Sequence, residues 1–378
     1  MKKPILAFFA INFGIIDRGA EVTVYNLVKN LQSKYDIVIY ARKRRPTDKT
    51  ISSLLDLSKN IKIKRVISIS KNNRILNFIY EFNPWLKYKL DIFFLNPERL
   101  ENLTFSIFAS IDIFFNHYDL IFPQNGIWGA ICARIIRKLK HIPFMMRTTG
   151  GIEPPVVRQK PDVYVCGTPV VYDWYRKNYP HVKFKLIPNG INTLKYSPQI
   201  KAIHIKLQQP IYLCVGALIP AKRIELAILA VSGLKQGSLV VLGVGPLLQK
   251  LKNMGKDLLG NKRFLLTDVP HNQTPKYYKC ARVFTLPSYK EPFGNVYLEA
   301  MAIGLPIVAP NDRQRRFIIG KAGILCNVGD LKIYTKTLFK ASQKNFKSKP
   351  RTQAMKFNWT IVAEKYRKTI DQLLNEYK

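Results

Sequence analysis

Two periods of apolar and polar positions alternate along the first half of the chain. Short apolar runs of strand length occupy residues 4–11, 36–41, 119–123 and 143–146. The intervening residues 21–31 and 129–139 place apolar side chains three and four positions apart, which predicts helices. Strands separated by helices of this length indicate βαβ units built around a parallel sheet.

A second series of the same kind begins at Ile211. Its apolar runs cover residues 211–218, 238–245, 263–268, 281–287 and 305–310, and residues 222–231 predict a helix. Between the two series, residues 187–198 are rich in Pro, Gly and Asn and lack periodicity, which predicts an interdomain boundary. We therefore expect an α/β protein with two doubly wound, Rossmann-like parallel-sheet domains. They are expected to face a cleft, with ligands at the carboxyl ends of the strands.

Residues 74–118 fit this alternation poorly, because aromatic side chains are interleaved with basic ones. One interpretation is a set of helices that cover the first sheet. The other is an interfacial surface that rests on a membrane or binds a lipid-linked acceptor. The aromatic residues concerned are Phe78, Tyr80, Phe82, Trp85, Tyr88, Phe93, Phe94, Phe114 and Phe115.

Composition adds a large positive charge, since 61 Lys and Arg face 24 Asp and Glu, for a net charge of +37. Such a chain attracts polyanions, namely nucleic acid, an acidic membrane leaflet or phosphorylated substrates, although a lysine bias of the solvated surface gives the same total. The five cysteines form no CxxC pair and predict reduced, mostly buried thiols in a cytosolic protein. The N-terminal apolar run predicts a first buried strand, and no apolar window is long enough to predict a membrane span.

The stretch EPFGNVYLEA, residues 291–300, places two of the few acids around a predicted helix start. Gly294 allows close backbone approach, and the amides of residues 293–296 form an anion site at the helix N-terminus. This places Phe293, Gly294, Asn295 and Val296 beside a bound phosphate. Glu291 can accept hydrogen bonds from sugar hydroxyls, and Glu299, on the helix face of Asn295, can hold a ribose. Together they suit a nucleotide sugar.

Several motifs then appear in order along the chain. The stretch from 277 to 310 resembles the signature of family 4 glycosyltransferases, the retaining group 1 enzymes with the GT-B fold. Glu291 and Glu299 match the Glu-x7-Glu motif of that family. Further matches are RGAEVTVYNLVKNL at 18–31, IPNGIN at 187–192, VGALIPAKR at 215–223, GVGPLLQKL at 243–251, VPHNQTPKYY at 269–278 and GKAGILCNVGD at 320–330.

The resemblance implies a role for each matched position. Glu291 would hold the transferred sugar, Glu299 the ribose, and Lys222 the donor diphosphate, whose leaving charge a lysine neutralises. Gly14, or Gly19 with Ala20, would supply a loop over the phosphates, and Gly243, Gly245 and Pro246 would lie near the base. Gly216 belongs to the same donor-binding set.

The resemblance also implies a domain organisation. Residues 1–187 would form the acceptor-side domain, residues 188–198 a linker, residues 199–355 a nucleotide-sugar domain, and residues 356–378 a C-terminal helix that crosses back to the first domain.

Three positions depart from the family pattern. Ala217 stands where many members have an arginine, and Arg223 is a candidate to supply that charge. The first-domain loops contain no histidine near the donor sugar, so Asn125, Arg147, Thr148 or Thr149 would substitute for it. The N-terminal glycine-rich loop is reduced to DRGAE, residues 17–21.

The sequence thus predicts a retaining hexosyltransferase that uses a UDP- or GDP-linked sugar without a metal or other cofactor. Its acceptor would be a glycan or a lipid-linked glycan in cell-surface polysaccharide or glycolipid synthesis. We expect a cytoplasmic enzyme with peripheral contact to an anionic membrane at the inner face of the plasma membrane, and no nucleic acid partner. The alternatives are a non-catalytic relative that binds sugar nucleotides and a sugar-nucleotide epimerase of the same fold.

Overall fold

The structure, a computed structural model, describes residues 3–16, 19–46, 48, 57, 61–83, 85, 87–89, 96–124, 126–148, 151–289 and 291–377. The chain divides into two compact units. The first unit comprises Met1–Pro188 together with Val362–Lys378, and the second unit comprises Asn189–Ile361. The second unit is therefore inserted in the sequence of the first.

Parallel strands form the centre of the first unit. A four-stranded sheet has the order β3-β2-β1-β4, and a three-stranded sheet has the order β5-β6-β7. A parallel bridge between Ile121 and Phe144 links the two. The strands are β1 (Ile5–Phe9), β2 (Asp36–Arg42), β3 (Ile61–Val66), β4 (Leu120–Pro123), β5 (Met145–Arg147), β6 (Val163–Cys166) and β7 (Phe184–Leu186).

Helices with an apolar side cover these sheets. In α3, for example, Phe105, Ala109 and Ile113 are fully buried, and the Phe105 ring meets Phe9 of β1 edge to face at 6.1 Å. The first helices of the unit are α1 (Gly19–Leu31), α2 (Arg74–Phe82), α3 (Pro97–Phe115), α4 (Gly126–Lys140), α5 (Pro154–Val157) and α6 (Pro169–Asn178).

The second unit contains one six-stranded parallel sheet with the order β10-β9-β8-β11-β12-β13. Numbered from β8, this is the order 3-2-1-4-5-6 of a doubly wound sheet, whose topological switch point lies between β8 and β11. The strands are β8 (Ile211–Val215), β9 (Ser238–Leu242), β10 (Phe264–Thr267), β11 (Val283–Thr285), β12 (Ile307–Pro310) and β13 (Gly323–Cys326). The helices are α7 (Ile224–Ser232), α8 (Leu248–Leu259), α9 (Thr274–Cys280), α10 (Asn295–Ile303), α11 (Arg313–Ile319), α12 (Leu331–Gln343) and α13 (Lys349–Met355).

The last helix, α14 (Trp359–Glu376), carries the chain from the second unit back into the first. Tyr366 and Ile370 of this helix are buried, and the Tyr366 ring lies 6.1 Å from that of Phe122 in β4. The Tyr35 hydroxyl donates a 2.5 Å hydrogen bond to Asp371. The C-terminal helix is thus part of the core of the first unit.

Most predicted elements are present, with clear exceptions. The N-terminal run forms the buried strand β1 as predicted. The helix predicted over 222–231 is wrong at its start, because Pro220–Lys222 forms a 3-10 turn and Arg223 adopts a left-handed conformation with φ 49°, so α7 begins only at Ile224. Strands β3, β6, β7 and β13 were not predicted, since β3 mixes Lys and Arg with apolar residues and the other three are short.

In the aromatic-rich segment, helix α3 bears out the interpretation of helices that cover the first sheet, and the interfacial interpretation stays a prediction. Helix α3 covers the sheet with one face, whereas Phe78, Phe82 and Phe115 are largely exposed. Phe93 and Phe94 lie outside the described residues. Among the residues that the structure describes, no helix combines the length and apolarity needed to cross a membrane. All five cysteines are free thiols, four of them buried and Cys280 partly so.

Candidate functional site

The switch point of the second unit brings the predicted donor-binding motifs together. Strands β8 and β11 are hydrogen-bonded neighbours, so the loops that follow them leave the same edge of the sheet side by side. The loop after β8 carries Gly216 and Lys222, and the loop after β11 leads to Glu291 and then to α10. Backbone contact joins the loops, since the Tyr289 amide donates to the Ala221 carbonyl at 2.9 Å.

Lys222 and Glu291 form an ion pair at this edge, with the Lys222 ammonium donating to Glu291 Oε2. Both side chains are mostly shielded, with 17% and 10% of their surfaces exposed, respectively. Partial burial strengthens the pair relative to one in bulk water because the effective dielectric constant is lower. The structure therefore unites the residues predicted to bind the diphosphate and the transferred sugar.

Gly294 sets the start of α10 and the direction of the Glu291 loop. Its φ of 82° is left-handed, and a Cβ atom there would lie 2.5 Å from the Tyr297 ring and 3.0 Å from Glu291 Cγ. Only glycine meets both demands without strain or displacement. The first turn of α10 is held by Asn295, whose side-chain oxygen accepts a 2.9 Å hydrogen bond from Asn189.

Phe293 and Val296 flank this helix start in different environments. The Phe293 side chain is 6% exposed and packs edge to face on Phe357 at 6.2 Å, so its contribution to a ligand site is limited to its backbone. Val296 is partly buried in the first turn of α10. The helix N-terminus thus offers backbone amides and a partial positive charge rather than these two side chains.

Glu299 lies one turn into α10 and belongs to a cluster that the sequence did not reveal. The buried Tyr278 hydroxyl donates a 2.8 Å hydrogen bond to Glu299 Oε2, and His271 Nε2 lies 3.9 Å from Oε1. Burial and the Glu299 carboxylate raise the pKa of Tyr278 well above its usual value, so it remains a donor. Lys195 Nζ in turn lies 2.8 Å from His271 Nδ1.

The predicted glycines pack the two β-strand loops against each other. A Cβ on Gly243 would lie 2.0 Å from the Gly216 carbonyl oxygen, and one on Gly245 would lie 2.6 Å from that of Leu218. Gly243 and Gly245 therefore permit close loop packing, whether or not they also approach a base. Lys222 methylene carbons lie 3.9 Å from the position of a Cβ on Gly216.

Arg223 takes part in a neighbouring contact rather than in the Lys222–Glu291 pair. Its Nε donates a 2.9 Å hydrogen bond to the Pro287 carbonyl, and its guanidinium lies 5.7 Å from the centre of the Tyr289 ring. These contacts fix the loop after β11. Arg223 thus holds that loop in place through these two contacts, and its guanidinium also adds a positive charge beside the loop.

Two side chains of α11 donate hydrogen bonds to the Glu291 loop, and neither was predicted from the sequence. Arg315 is 3% exposed, donates to the Ser288 carbonyl at 2.6 Å and to the Tyr297 hydroxyl at 3.2 Å, and pairs with Asp312. Gln314 donates its side-chain amide to the carbonyl of Glu291 and to that of Pro292 at 2.6 Å. In the sequence, Gln314 and Arg315 look like part of an ordinary basic surface stretch. No sequence signal therefore indicated that they contact the Glu291 loop.

In the first unit, Gly19 begins α1 and its carbonyl accepts a 2.7 Å hydrogen bond from Thr23. Gly14 adopts φ 70°, and its carbonyl accepts from Arg44. Ala20 lines a cavity, whereas Asp17 and Arg18 lie outside the described residues. Of the candidates to replace a histidine, Asn125 and Thr149 also lie outside them. Arg147 ends β5, and the Thr148 amide donates to Val165 beside it.

The cavity beside Ala20 has a volume of about 650 Å³ and lies where β1 and β4 end. Its walls include the carboxylates of Glu21, Glu98 and Glu153 and the indole of Trp128. Arg99 is the one cation among the described lining residues, a notable bias in a chain with 61 basic and 24 acidic residues. Amide side chains complete the polar lining, namely Asn12, Asn96, Asn102 and Gln124.

This chemistry suits ligands of two kinds. The second unit offers a lysine, a helix N-terminus and two carboxylates, which match a diphosphate flanked by hydroxyl-rich groups. The first-unit cavity offers hydrogen-bond acceptors and an aromatic ring to an uncharged polyol. Among the described residues, no cluster of His, Cys, Asp or Glu has the arrangement needed to hold a metal ion.

Comparison with known proteins places this geometry in context. Residues 197–350 match the family described as "Glycosyl transferases group 1". A GDP-mannose-dependent alpha-(1-6)-phosphatidylinositol monomannoside mannosyltransferase of Mycolicibacterium smegmatis is 28% identical over 149 residues, which cover 34% of this chain and 39% of that protein. A UDP-Gal:alpha-D-GlcNAc-diphosphoundecaprenol alpha-1,3-galactosyltransferase of Escherichia coli is 28% identical over 265 residues, covering 60% and 66%. The chain thus spans only about two fifths of the length of the first relatives that it matches.

Solved structures align over nearly the whole chain. Anabaena HepE in complex with UDP aligns with a TM-score of 0.71 at 14% identity, over 98% of this chain and 100% of that one. The predicted α/β fold of the GT-B class, with two Rossmann-like parallel-sheet domains, is confirmed. The family match and the glycosyltransferase relatives support the coarser part of the resemblance, a group 1 glycosyltransferase.

Proposed function

We propose that this protein is a retaining glycosyltransferase of family 4 that transfers a hexose from a nucleoside diphosphate sugar to an acceptor hydroxyl. The observation that carries the proposal is the pairing of Lys222 with Glu291 at the sheet edge where Glu299 also lies, one helical turn into α10. A cation for the leaving diphosphate and carboxylates for two hydroxyl-rich groups are thereby grouped in one unit.

Each part of the donor has a complementary element in the proposed site. The diphosphate lies between the Lys222 ammonium and the first amides of α10, where its charge is neutralised. Glu299 accepts hydrogen bonds from the ribose hydroxyls while Tyr278 orients its other oxygen. Glu291 exchanges its contact with Lys222 for hydroxyls of the transferred sugar.

The proposed chemistry depends on charge stabilisation and positioning. As the glycosidic bond breaks, negative charge grows on the diphosphate oxygen, and Lys222 is placed to stabilise it. The acceptor oxygen then attacks the face that the diphosphate leaves, and a leaving phosphate oxygen takes the acceptor proton. This same-face route retains the anomeric configuration and requires correct placement of both substrates.

We place the acceptor sugar in the first-unit cavity lined by Glu21, Glu98 and Glu153. Carboxylates accept hydrogen bonds from sugar hydroxyls and repel phosphate, and the amide side chains both accept and donate hydrogen bonds. The acceptor end is therefore an uncharged or amino-bearing glycan, attached to a larger glycan or to a lipid. The named relatives act on phosphatidylinositol mannoside and diphosphoundecaprenol glycan acceptors, which supports the lipid-linked form in glycolipid or polysaccharide synthesis. The protein would work on the cytoplasmic side, at the inner face of the plasma membrane.

The test begins with thermal-shift titrations of UDP, GDP, ADP and their sugars, because a ligand that binds the folded state raises its melting temperature. We expect one nucleotide to stabilise the protein and Glu299→Ala to abolish that shift. The selected donor is then incubated with and without a lipid-linked glycan acceptor. Acceptor-dependent release of the diphosphate supports the proposal. Donor binding without turnover supports a non-catalytic relative, and donor isomerisation without acceptor supports an epimerase.

A further inference from the structure

Beyond its first turns, helix α3 has an exposed face that is entirely apolar, whereas Glu98 in the first turn is an exposed acid. Between residues 103 and 115 the exposed side chains are all Ile or Phe, with Phe115 the most exposed at 78%. These residues recur at spacings of three and four, so they form one stripe on the side opposite the buried Phe105 and Ile113. The stripe consists of Ile107, Phe108, Ile111, Phe114 and Phe115.

Helix α4 extends this surface. It packs against α3 and exposes Ile135 and Leu139, one turn apart, at 50% and 62%. At the end of α4, the Lys140 ammonium lies 5.4 Å from the centre of the Phe114 ring, so the exposed sides of the two helices meet there. We call the exposed residues of 107–117 and 135–141 the α3–α4 outer face.

The charge of this face is of one sign. Its exposed members are seven large apolar residues, two lysines, two histidines and one asparagine, without an acid among them. The nearby Asp112 is partly buried and accepts a 2.7 Å hydrogen bond from Lys64, which neutralises it. An apolar stripe bordered by cations is complementary to a surface that is anionic outside and apolar within.

A further lysine, Lys34, stands at the border next to Phe115. A depression of about 950 Å³ is lined there by Lys34, His117, Lys140 and His141. Its carboxylates, Asp119 and Asp371, already accept hydrogen bonds from the Ile5 amide and the Tyr35 hydroxyl. The depression thus presents ammonium groups beside an exposed aromatic ring.

We propose that the α3–α4 outer face docks the protein on an anionic lipid bilayer, with the Ile and Phe stripe in the acyl boundary and the lysines at lipid phosphates. This inference deepens the proposed function and rests on it, because a lipid-linked acceptor is the reason for the protein to contact a membrane. A second copy of the chain is disfavoured as the occupant, because two identical faces would bring like charges together on chains of net charge +37.

Sedimentation with vesicles of phosphatidylcholine, with and without phosphatidylglycerol, tests the proposal on the full chain. We expect binding only with phosphatidylglycerol and a drop of about tenfold or more in the partition coefficient for Ile111→Ser/Phe115→Ser, since two large apolar side chains no longer leave water. Lys138→Ala/Lys140→Ala should lower it about tenfold, because each lysine gains energy near an anionic surface.

Matched controls lie on α12 of the second unit, where Ile333 and Phe339 are 46% and 52% exposed and Lys332 and Lys336 are also exposed. Ile333→Ser/Phe339→Ser and Lys332→Ala/Lys336→Ala should bind as the parent does. Equal loss in variants of both helices, or no loss in the α3 variant, would overturn the proposal. So would a dimer, measured by light scattering, that the α3 variant dissociates.

Nucleotide thermal shifts on the same variants separate this inference from the proposed function. The α3 variant should keep the parent melting temperature and nucleotide response, because the altered side chains are exposed and belong to the first unit. Vesicle binding by a protein that no nucleotide stabilises would support the docking face and contradict the proposed function. A normal nucleotide response without vesicle binding would support the proposed function and contradict the docking face.

Discussion

The Lys222 ammonium is held by the Glu291 carboxylate in the free protein. A donor that uses both groups must separate this pair, because its diphosphate competes with Glu291 for Lys222. The pair also prevents either charge from being left alone in a partly buried setting. Binding and catalysis should therefore respond differently to the loss of each partner.

Glu291→Gln should bind the free nucleoside diphosphate about two- to fivefold more tightly than the parent, because Lys222 is released from its partner. The same variant should lose turnover by about a hundredfold or more. Lys222→Ala should weaken both. Isothermal titration with the nucleotide and a transfer assay measure the two effects. Weaker nucleotide binding by Glu291→Gln would contradict the role given to the ion pair.

Tyr278→Phe should weaken nucleotide binding by about fivefold, since Glu299 loses a hydrogen bond of about 1 kcal/mol that orients it. The loss should appear with nucleoside diphosphates and be absent with inorganic pyrophosphate, which has no ribose. Competition titrations with both ligands provide the measurement. An equal loss for pyrophosphate would indicate a general collapse of the site.

Gly294→Ala should lower the free energy of unfolding of the second unit by about 3 kcal/mol, from left-handed backbone strain and overlap with Tyr297. Gly304→Ala is the matched control, since Gly304 also has a left-handed φ, 104°, but a Cβ there meets nothing within 4 Å. It should lower the free energy by about 1–2 kcal/mol. Hydrogen exchange of second-unit amides measures both, and equal values would show that the Tyr297 contact is unimportant.

Arg315→Lys should reduce turnover about tenfold and leave nucleotide affinity nearly unchanged, because a lysine cannot reproduce the forked contacts to Ser288 and Tyr297 that position the Glu291 loop. The neighbouring Arg316 bonds Asn311 at an exposed site, so Arg316→Lys is the control. Steady-state kinetics should show a change in kcat for Arg315→Lys alone. A matching loss of affinity would assign Arg315 to the whole donor site.

The thiols should be nearly inert in the folded protein. Burial raises the pKa of Cys280 to about 11 and that of Cys214 to about 12, so little thiolate exists at neutral pH. Because an unfolded thiol ionises near pH 8.5, stability is unaffected below that pH and falls as pH rises from there towards 11. Ellman's reagent should label Cys280 first and slowly, and all five thiols after urea unfolding. Rapid native labelling of Cys214 would contradict its burial.

The loop and helix that carry the proposed donor-binding residues could be predicted from the sequence because these residues are close along the chain. Glu291 and Glu299 are eight positions apart, and the periodicity around them indicated the strand, turn and helix. Tyr278 ends the motif at 269–278, but nothing in the local sequence showed that its hydroxyl would reach Glu299. Arg315 was hidden among basic residues, since only the fold shows that it is buried.

The first-unit cavity could not be predicted for a related reason. Glu21, Glu98 and Glu153 are separated by more than fifty residues each, and only the parallel sheet brings them to one edge. Strand β3 escaped notice because its Lys and Arg side chains interrupt the apolar pattern. Local periodicity identifies elements with one apolar side, whereas contacts between distant segments depend on the order of strands.

The return of α14 to the first unit has a consequence for synthesis on the ribosome. Residues 189–361 form a continuous segment, so the second unit can close as soon as that segment has left the exit tunnel. The first unit must wait for Tyr366, Ile370 and Leu373, which complete its core and are translated after the whole of the second unit. A nascent chain therefore holds an unfinished first unit beside a finished second one. A premature stop just before α14 would leave Phe122 and its apolar neighbours uncovered, and such a chain is a natural client for chaperones or proteases.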